Sequence, residues 1–446
     1  MRRAQRWPLL ACALLCACEA AREPAPPDLV LVSLDTTRAD RLGSYGHPGG
    51  LTPELDRFAA GATRYERAYS PSSWTLPAHA SLFTGKLPSS HGAKLDPKGP
   101  ISLATALADG RDWSRYRARG LAESEETLAE RLQARGYACA GIVAGPWMKR
   151  SFGLAQGFGH YDDSGIEELN GRRAGEVTDA ALAWLRARPA GPVFLFLNYY
   201  DPHFPFSPPP AFMPAPPDTP PADAAARDAW LRALYDAELR YVDAEFGRLL
   251  RGLRELGRYD AALIAVTADH GELLGEHGGF GHGKSLYEAE IRVPLLIRAP
   301  GQPPDAGAVV RDPVSLIDVF PTLLRELGLP AAAEIQGELL PAPAHPIVAE
   351  VDPLPSASGE GPWRALVAGD WKLARSERGG TRLFDLAADP REQRDRAADE
   401  RARAEELEQR LGAYLASLPQ PAEAGPAQEL DAQTQRALEA LGYLEE

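Results

Sequence analysis

The stretch Asp28-Leu-Val-Leu-Val-Ser-Leu34 decides the fold, because it is an almost continuous apolar run. Runs without polar alternation are typical of parallel strands that are buried on both faces of a sheet. Similar runs lie at Tyr137 to Ala144, Val193 to Asn198, Ala261 to Thr267 and Val293 to Ile297. These runs predict further strands of the same sheet.

Helical segments separate the apolar runs. The clearest extends from Ala229 to Leu256, where apolar side chains recur at steps of three and four residues. Alternating strands and helices predict an α/β domain with a mostly parallel sheet flanked by helices. Ligands of such sheets bind beyond the carboxyl ends of the strands, so the residues that follow each strand are the candidate site.

A change of composition from Pro330 to Pro346 indicates a domain boundary. Beyond it come short strand patterns, then a charged helical segment from Arg391 to Leu418. The sequence therefore predicts a catalytic α/β domain over 28–340, a small C-terminal α+β subdomain over 341–420 and a tail over 421–446. Two polar or proline-rich stretches, 96–123 and 205–221, are predicted to be loops near the site.

The first residues are typical of an export signal. Arg2, Arg3 and Arg6 precede an apolar stretch that is shorter than the roughly 20 residues of a membrane-spanning helix. The stretch ends in Leu15-Cys16-Ala17-Cys18, which resembles a bacterial lipobox. We expect a signal peptide over 1–17, lipidation of Cys18 and a tether over 18–27. The protein would then be periplasmic or associated with the outer membrane; the alternative is an ordinary cleaved signal peptide.

Composition excludes some classes of function. Hydrophobic residues make up 44% of the chain, which is enough for a large core. The net charge of -14 argues against a nucleic-acid partner. A local cationic pocket can still hold an anionic substrate, because the charge of a site is independent of the net charge.

Carboxylate and imidazole side chains follow two of the predicted strands. Asp35 follows the first strand, and the pair Asp269-His270 follows the run that ends at Thr267. Mixed oxygen and nitrogen ligation is compatible with Zn²⁺, Mn²⁺, Ca²⁺ or Mg²⁺. Each residue by itself has an ordinary alternative, since Asp is common in turns.

Other candidate residues can act on an anionic ester. Thr75 stands at a predicted helix start, where partial positive charge favours an anion, and His79 follows four residues later. His203, flanked by prolines, is a candidate for holding an oxyanion or protonating a leaving group. The glycine-rich segment after His270 contributes His282 and Lys284.

Together, and in chain order, these motifs resemble the sulfatase family of the alkaline phosphatase superfamily over about residues 28–390. The matching stretches are Asp35, Thr75-Leu-Pro-Ala-His-Ala-Ser-Leu-Phe-Thr-Gly85, Asp201-Pro-His-Phe-Pro205, Asp269-His270-Gly271, Gly283-Lys-Ser-Leu-Tyr-Glu288, Arg292-Val-Pro294, Asp318-Val-Phe-Pro-Thr-Leu-Leu324, Gly369-Asp-Trp-Lys-Leu373 and Leu383-Phe-Asp-Leu-Ala-Ala-Asp-Pro390. The resemblance implies an alkaline-phosphatase-like core with a small C-terminal subdomain.

The resemblance also implies the roles of the site residues. The implied metal ligands are Asp35, Thr75, Asp269 and His270, with Thr75 also the nucleophile. His203 and Lys284 would hold the anionic oxygens of the substrate, and His203 is also a candidate leaving-group acid. His79 stands where sulfatases usually carry an arginine that supports the nucleophile. His282 has no firm counterpart and is a candidate for binding substrate or a second metal.

Two departures from the family pattern bear on the chemistry. Sulfatases carry Cys or Ser at the position of Thr75 and oxidise it to formylglycine, which Thr cannot form, so no formylglycine is expected. The usual second acidic residue is Thr36 here. The resulting ligand set looks more like that of phosphoglycerol transferases and phosphodiesterases of the same superfamily.

We therefore predict a metal-dependent hydrolase of phosphate or sulfate esters, with phosphoryl groups slightly favoured and with a covalent intermediate on Thr75. The substrate would be an anionic ester, with a glycan or a lipid headgroup as candidate organic parts. Two alternatives remain open at this point: a transferase that moves a phospho-headgroup at the cell surface, and a non-catalytic binding protein on the same scaffold.

Overall fold

The computed structural model describes residues 26–188, 191–214, 220–330, 332, 334–341, 343–354 and 360–421. The predicted signal peptide over 1–17, the predicted lipidation site Cys18 and most of the predicted tether lie outside the described residues, as does the tail from residue 422 onward. No helix among the described residues is both long and apolar enough to span a membrane.

An eight-stranded sheet forms the centre of the fold. Its strands in chain order are β1 (Leu29–Leu34), β2 (Thr63–Tyr65), β3 (Ala138–Ile142), β4 (His160–Asp162), β5 (Val193–Tyr199), β6 (Leu263–Thr267), β7 (Leu295–Arg298) and β8 (Val309–Val310). Their spatial order is β8-β2-β7-β6-β1-β5-β3-β4. Strands β4, β3, β5, β1 and β6 pair in parallel, so their carboxyl ends lie at one edge of the sheet.

Helices cover both faces of this sheet. They are α1 (Pro53–Ala60), α2 (Thr75–Thr84), α3 (Leu128–Gln133), α4 (Ala174–Arg186), α5 (Ala224–Glu255) and α6 (Val319–Glu326), whereas α7 (Arg401–Ser417) packs on a second sheet nearer the C-terminus. Along β1, Leu29 and Leu31 face the core beneath α2, α3 and α6, whereas Val30 and Val32 face the core beneath α1, α4 and α5. Burial on both faces explains why the strand is apolar throughout.

Shorter elements connect the main ones. Single-turn α-helices lie at Pro88–His91, Leu103–Ala106 and Glu288–Ile291, and short 3₁₀ turns at Ala39–Arg41, Gly43–Tyr45, Pro146–Met148, Arg150–Phe152, Glu276–Gly278 and Leu316–Asp318. Small sheets pair Leu273–Leu274 with Phe280–Gly281, Ala68–Tyr69 with Arg292–Val293 and Val314–Ser315, and Arg117–Arg119 with Lys94–Leu95 and Ile101–Ser102.

A four-stranded antiparallel sheet follows near the C-terminus. Its strands are β9 (Ile347–Val351), β10 (Trp363–Ala368), β11 (Trp371–Ser376) and β12 (Gly380–Asp385). Along β9, Ile347 and Ala349 face the main core while Val348 faces Leu407 and Leu411 of α7. This alternation is the pattern of a sheet buried between two layers, and it packs the C-terminal sheet directly on the catalytic body.

The structure confirms the predicted mixed α/β fold with its small C-terminal sheet and corrects several details. The run from Val293 to Ile297 yields β7, which pairs antiparallel with its neighbours. A strand buried on both faces is apolar in either direction, so the pattern could not reveal the direction. The predicted loop over 96–123 contains strands of a small sheet, and the charged helix begins at Arg401 rather than at Arg391.

A second predicted boundary moves in the opposite direction. Helix α5 begins at Ala224, five residues before the expected start at Ala229, because Asp223 caps it by accepting a hydrogen bond from the backbone N–H of Ala226 at 2.8 Å. The first five residues of α5, Ala224-Ala-Ala-Arg-Asp228, carry no large apolar side chain and are mostly exposed, so they lie outside the apolar periodicity.

A buried ion pair links the C-terminal part to the catalytic body. His345 Nε2 lies 2.5 Å from Asp318 Oδ1, and this contact raises the pKa of His345 even though burial acts in the opposite direction. A histidine whose pKa is raised on folding stabilises the fold fully below its unfolded pKa of about 6.5, and that stabilisation is lost as the pH rises through the folded pKa.

We expect this pair to make the free energy of unfolding depend on pH. When the pH is raised from about 5.5 to about 9, the free energy of unfolding of the wild-type protein should fall by about 1–2 kcal/mol more than that of the His345→Gln variant. The reason is that His345 loses its proton, and with it the charge-assisted hydrogen bond to Asp318. Urea unfolding of both proteins at the two pH values measures the difference. Parallel pH profiles of the two proteins would show that the pair contributes no pH-dependent stability.

Candidate metal and ester site

Two carboxylates meet at the carboxyl edge of the sheet. Strands β1 and β6 are parallel neighbours with Ser33 opposite Thr267, so Asp35 and Asp269 follow them at the same level. Both side chains are buried, at 0% and 1% exposure. Burial, and then the neighbouring charge of Asp269, hold the pKa of Asp35 well above its ordinary value.

His270 adds a nitrogen ligand beside these carboxylates. Its Nδ1 lies 2.9 Å from the carbonyl oxygen of Gly271 and must donate there, which leaves Nε2 with a free lone pair. That Nε2 lies 3.3 Å from Asp269 Oδ2. One ligand atom from each of Asp35, Asp269 and His270 falls within 4.8 Å of the others.

The donor set fits a divalent cation. Asp35 Oδ1 and Asp269 Oδ2 are buried without any hydrogen-bond partner, although unpaired buried carboxylate oxygens are costly. Together with the lone pair of His270, which the Thr75 hydroxyl reaches at 3.4 Å, they form a cluster of three acceptor atoms. A cation bound between them would neutralise two buried charges and occupy all three acceptor atoms.

Thr75 is the hydroxyl that faces this cluster. It is the first residue of α2, it is 1% exposed, and its Oγ1 lies 3.4 Å from His270 Nε2. The N-terminal end of a helix carries partial positive charge, which favours a developing alkoxide and an anionic ester. The structure therefore brings Thr75 together with Asp35, Asp269 and His270, as the sequence led us to expect.

His79 lies one helical turn behind Thr75. Its Nδ1 donates to the carbonyl oxygen of Thr75 at 2.9 Å, and its Nε2 then accepts from the Ser33 hydroxyl at 2.9 Å. Burial lowers the pKa of His79, so its imidazole is neutral. Both ring nitrogens are thus occupied by the chain itself. His79, predicted among the catalytic residues, connects α2 to β1 through these two hydrogen bonds.

Two further imidazoles lie beside His270. The ring of His203 stacks on Tyr200 at 4.2 Å between centroids, and its buried Nδ1 has no hydrogen-bond partner. The ring of His282 lies 4.8 Å from that of His203 and 4.4 Å from that of His270. Burial lowers the pKa of His203 far below its usual value and that of His282 to about 4. Both rings are neutral hydrogen-bonding groups at neutral pH.

Lys284 and His282 lie just after the hairpin formed by Leu273–Leu274 and Phe280–Gly281. The Nζ of Lys284 donates to the carbonyl oxygen of Phe280 at 2.9 Å. Burial raises the pKa of the nearby Glu272 carboxyl, and the positive charge of Lys284 offsets part of that rise. Lys284 is only half-buried, so its ammonium group keeps access to solvent and to a ligand entering the site.

The sequence interpretation missed two polar residues of this site. Asn198, the penultimate residue of β5, donates to Asp35 Oδ2 at 3.2 Å and accepts from the backbone N–H of Gly145 at 2.9 Å. Glu272 accepts from His282 Nδ1 at 3.1 Å, and burial raises the pKa of Glu272 to about 8. Asn198 lies near the end of β5 and Glu272 follows β6, and both strands are neighbours of β1. Their positions at the ends of predicted strands could therefore have identified them as site residues.

Comparison with protein families places the chain. The family model described as Sulfatase matches residues 27–329, which contain every site residue described above. The chain belongs to the sulfatase family. This result confirms the resemblance inferred from the motifs, and it makes the protein a member of a family of metal-using sulfuric and phosphoric ester hydrolases.

Individual relatives extend over most of the chain at low identity. The ulvan-active sulfatase of Formosa agariphila is 27% identical over 403 residues, covering 83% of this chain and 77% of that enzyme. Human N-acetylgalactosamine-6-sulfatase is 28% identical over 366 residues, covering 72% and 66%. The match to bovine arylsulfatase K spans a shorter region, 42% of this sulfatase-family chain and 36% of that enzyme.

Solved structures share the fold. A phosphonate monoester hydrolase of Agrobacterium radiobacter superposes with a TM-score of 0.70 at 21% identity, covering 87% of this chain and 95% of that one. A protein crystallised with its substrate D-glucosamine-2-N,6-O-disulfate superposes with a TM-score of 0.67 at 21% identity, covering 88% and 97%. At these identities the likeness concerns the fold.

The buried carboxylate pair yields a prediction about stability. Without divalent metal, the Asp35→Asn variant should be more stable than the wild type by about 1–3 kcal/mol, because one of two repelling buried charges is removed. With Mn²⁺ at about 100 times its Kd, the wild type should gain about 2.7 kcal/mol and the variant much less. Urea unfolding in EDTA and in Mn²⁺ measures both effects.

Asp243→Asn provides the matched control for this experiment. Asp243 is also buried, at 2% exposure, but it accepts from the backbone N–H groups of Glu54 and Leu55, away from the carboxylate pair. We expect this variant to keep the full Mn²⁺-induced gain. An equal gain in Asp35→Asn would contradict the assignment of Asp35 as a metal ligand.

Proposed function

We propose that this sulfatase-family protein cleaves phosphate or sulfate esters with Thr75 as the nucleophile, and that phosphoryl esters are favoured. The observation that carries the proposal is the position of Thr75 Oγ1, which lies 3.4 Å from His270 Nε2 beside the two unpaired carboxylate oxygens. This position brings the Thr75 hydroxyl within hydrogen-bond distance of a proposed metal ligand.

The proposed reaction is an in-line displacement at phosphorus or sulfur. A divalent cation held by Asp35, Asp269, His270 and Thr75 would supply charge neutralisation and Lewis-acid polarisation. Thr75 Oγ1 forms a bond to the central atom as the bond to the leaving alcohol breaks, and the hydroxyl proton of Thr75 passes to solvent water. Water then attacks the phospho- or sulfo-threonine and regenerates the hydroxyl.

Lys284 and His203 complete the proposed site on the side of the substrate. The Lys284 ammonium and the N–H of the neutral His203 imidazole would bind the non-bridging oxygens, whose charge is redistributed during transfer. The leaving oxygen must gain a proton. His203 is the candidate donor once a bound anion raises the pKa of its imidazole.

The identity of the nucleophile supports phosphorus over sulfur. Formylglycine assists release of sulfate because its hemiacetal can eliminate the group, whereas a threonine ester must be attacked directly at phosphorus or sulfur. The fold neighbours include phosphonate monoester hydrolases, which agrees with phosphoryl chemistry on this scaffold.

The candidate metals are Mn²⁺, Zn²⁺, Ca²⁺ and Mg²⁺, because mixed oxygen and nitrogen ligands select weakly among them.

The proposed substrate class is an anionic ester on a glycan or a lipid headgroup. Relatives and fold neighbours are named for carbohydrate substrates, including ulvan, a glucosamine disulfate and a neocarrahexaose. The glycan assignment rests on these names together with the Lys284 and His203 pair, which suits an anionic group. The lipid alternative rests on the proposed membrane location.

Replacing the nucleophile tests the mechanism. Thr75→Ala should lower kcat for aryl phosphate and aryl sulfate esters by at least about 10³-fold, since the covalent half-reaction is lost. Thr75→Ser should retain measurable turnover, because a hydroxyl remains. Rates are compared after loading each protein separately with the four metals.

Thr84→Ala is the control variant for this replacement. Thr84 is a buried threonine at the other end of α2 whose hydroxyl donates to the carbonyl oxygen of Ala80 at 2.7 Å. It should leave kcat nearly unchanged. Wild-type turnover by Thr75→Ala would end the proposed mechanism.

We also propose that the protein is exported and anchored through a lipid on Cys18. The basic, short apolar and lipobox-like segments of residues 1–18 support this location. In a Gram-negative bacterium, Cys18→Ser should move the protein from the membrane fraction to the soluble fraction and abolish labelling by a fatty acid. Unchanged fractionation and labelling would contradict the anchor.

A further inference from the structure

A single helical turn, Glu288–Ile291, touches both catalytic loops. The carbonyl oxygen of Glu290 accepts the backbone N–H of Gly271 at 2.7 Å, and that of Ile291 accepts the backbone N–H of Ser70 at 2.8 Å. Gly271 follows the proposed ligand His270, and Ser70 opens the segment that leads to Thr75. The turn therefore fixes the backbone on both sides of the reacting atoms.

The same turn also holds the loop that carries Lys284. The carboxyl of Glu290 accepts the hydroxyl of Ser285 and lies 3.5 Å from the backbone nitrogen of Lys284. Glu290 is fully buried. The positions of the proposed metal ligand, the nucleophile and the substrate-binding cation thus depend on one short element.

The C-terminal subdomain contacts this turn at its first residue, Glu288. Oε2 of Glu392 accepts the backbone N–H of Glu288 at 2.6 Å. Lys372 Nζ, on β11, lies 2.8 Å from Glu392 Oε1 and 3.2 Å from Glu288 Oε1. Lys372 is 0% exposed and Glu392 is 3% exposed, so a buried cation bridges a carboxylate of the subdomain and a carboxylate of the turn.

Stabilisation of the fold alone does not explain this buried ion cluster. A buried ion cluster is often no more stabilising than apolar side chains of similar volume, because each ion loses its hydration. Glu392 also has a positive φ of 56°, which is unfavourable for a residue other than glycine. The cluster does fix the position of the Glu392 carboxylate, and this carboxylate accepts a hydrogen bond from the backbone N–H of Glu288.

We propose that Lys372 and Glu392 of the C-terminal subdomain are positioning residues for the active site, acting through the turn Glu288–Ile291. Glu392 holds the backbone N–H of Glu288, and Lys372 keeps the carboxylates of Glu392 and Glu288 in place. The turn in turn holds Gly271, Ser70 and the Lys284 loop. The catalytic consequence rests on the proposed function, whereas the backbone consequence does not.

The test compares Glu392→Gln with Glu392→Met in the full-length protein. The two side chains are uncharged and similar in shape, but only glutamine keeps an oxygen that can accept from the N–H of Glu288. Glu392→Gln should stay within about threefold of the wild-type kcat/KM, and Glu392→Met should lose tenfold or more, about 1.4 kcal/mol or more of transition-state stabilisation. Amide hydrogen exchange of a peptide covering residues 268–274 should accelerate in Glu392→Met alone.

Two additional variants separate positioning from general stability. His345→Gln removes another buried bridge between the subdomain and the catalytic body, so it should lower Tm with kcat/KM and exchange at 268–274 unchanged. Glu392→Asp keeps the charge but shortens the reach, and aspartate tolerates positive φ better than most residues. It should therefore reproduce the loss of kcat/KM even if Glu392→Met fails to fold.

The possible outcomes are decisive in both directions. Equal kcat/KM in Glu392→Gln and Glu392→Met, or unchanged exchange at 268–274 in Glu392→Met, overturns the inference. Loss confined to Glu392→Met and Glu392→Asp supports it. Failure of the proposed function is seen separately, as full activity of Thr75→Ala, and leaves the exchange comparison intact.

Discussion

The site depends on the repulsion between two carboxylates that the sheet forces together. Asp35 and Asp269 follow adjacent parallel strands at the same level, and each is almost fully buried. Neither can turn to solvent, and each keeps an oxygen without a donor. A divalent cation resolves this conflict because it neutralises both charges at once. The same cluster places a histidine lone pair and the Thr75 hydroxyl at the edge where a substrate would enter.

The remaining polar groups around this cluster are of two kinds: some hold the site residues in place, and others are available to a substrate. Asn198 and His79 use their hydrogen bonds to hold Asp35 and Thr75 in place, and neither ring nitrogen of His79 is free for a substrate. His203, His282 and Lys284 are less deeply buried than these residues. Their neutral or cationic character suits an anionic ester, although the chain as a whole carries a charge of -14. Local placement, not net charge, sets the character of the pocket.

The C-terminal sheet joins the catalytic body through more than apolar packing. One face of β9 and β10 completes the main core, and the buried contacts of Lys372 and Glu392 reach the turn beside the loop of the candidate ligands Asp269 and His270. Of the two C-terminal stretches that resemble family motifs, one contains Lys372 and the other ends two residues before Glu392. The contacts of Lys372 and Glu392 with Glu288 link this part of the chain to the proposed site.

The sequence by itself determined the α/β class, the strands at Leu29–Leu34, Val193–Tyr199 and Leu263–Thr267, and the residues that follow them. Local patterns suffice there, because burial on both faces demands continuous apolar residues and strand ends collect ligands. Tertiary structure alone decided the antiparallel direction of Leu295–Arg298, the anchoring role of His79 and the reach of Glu392 to Glu288. Each of these depends on contacts between residues distant in sequence or on the orientation of one ring, and neither periodicity nor residue type encodes such contacts.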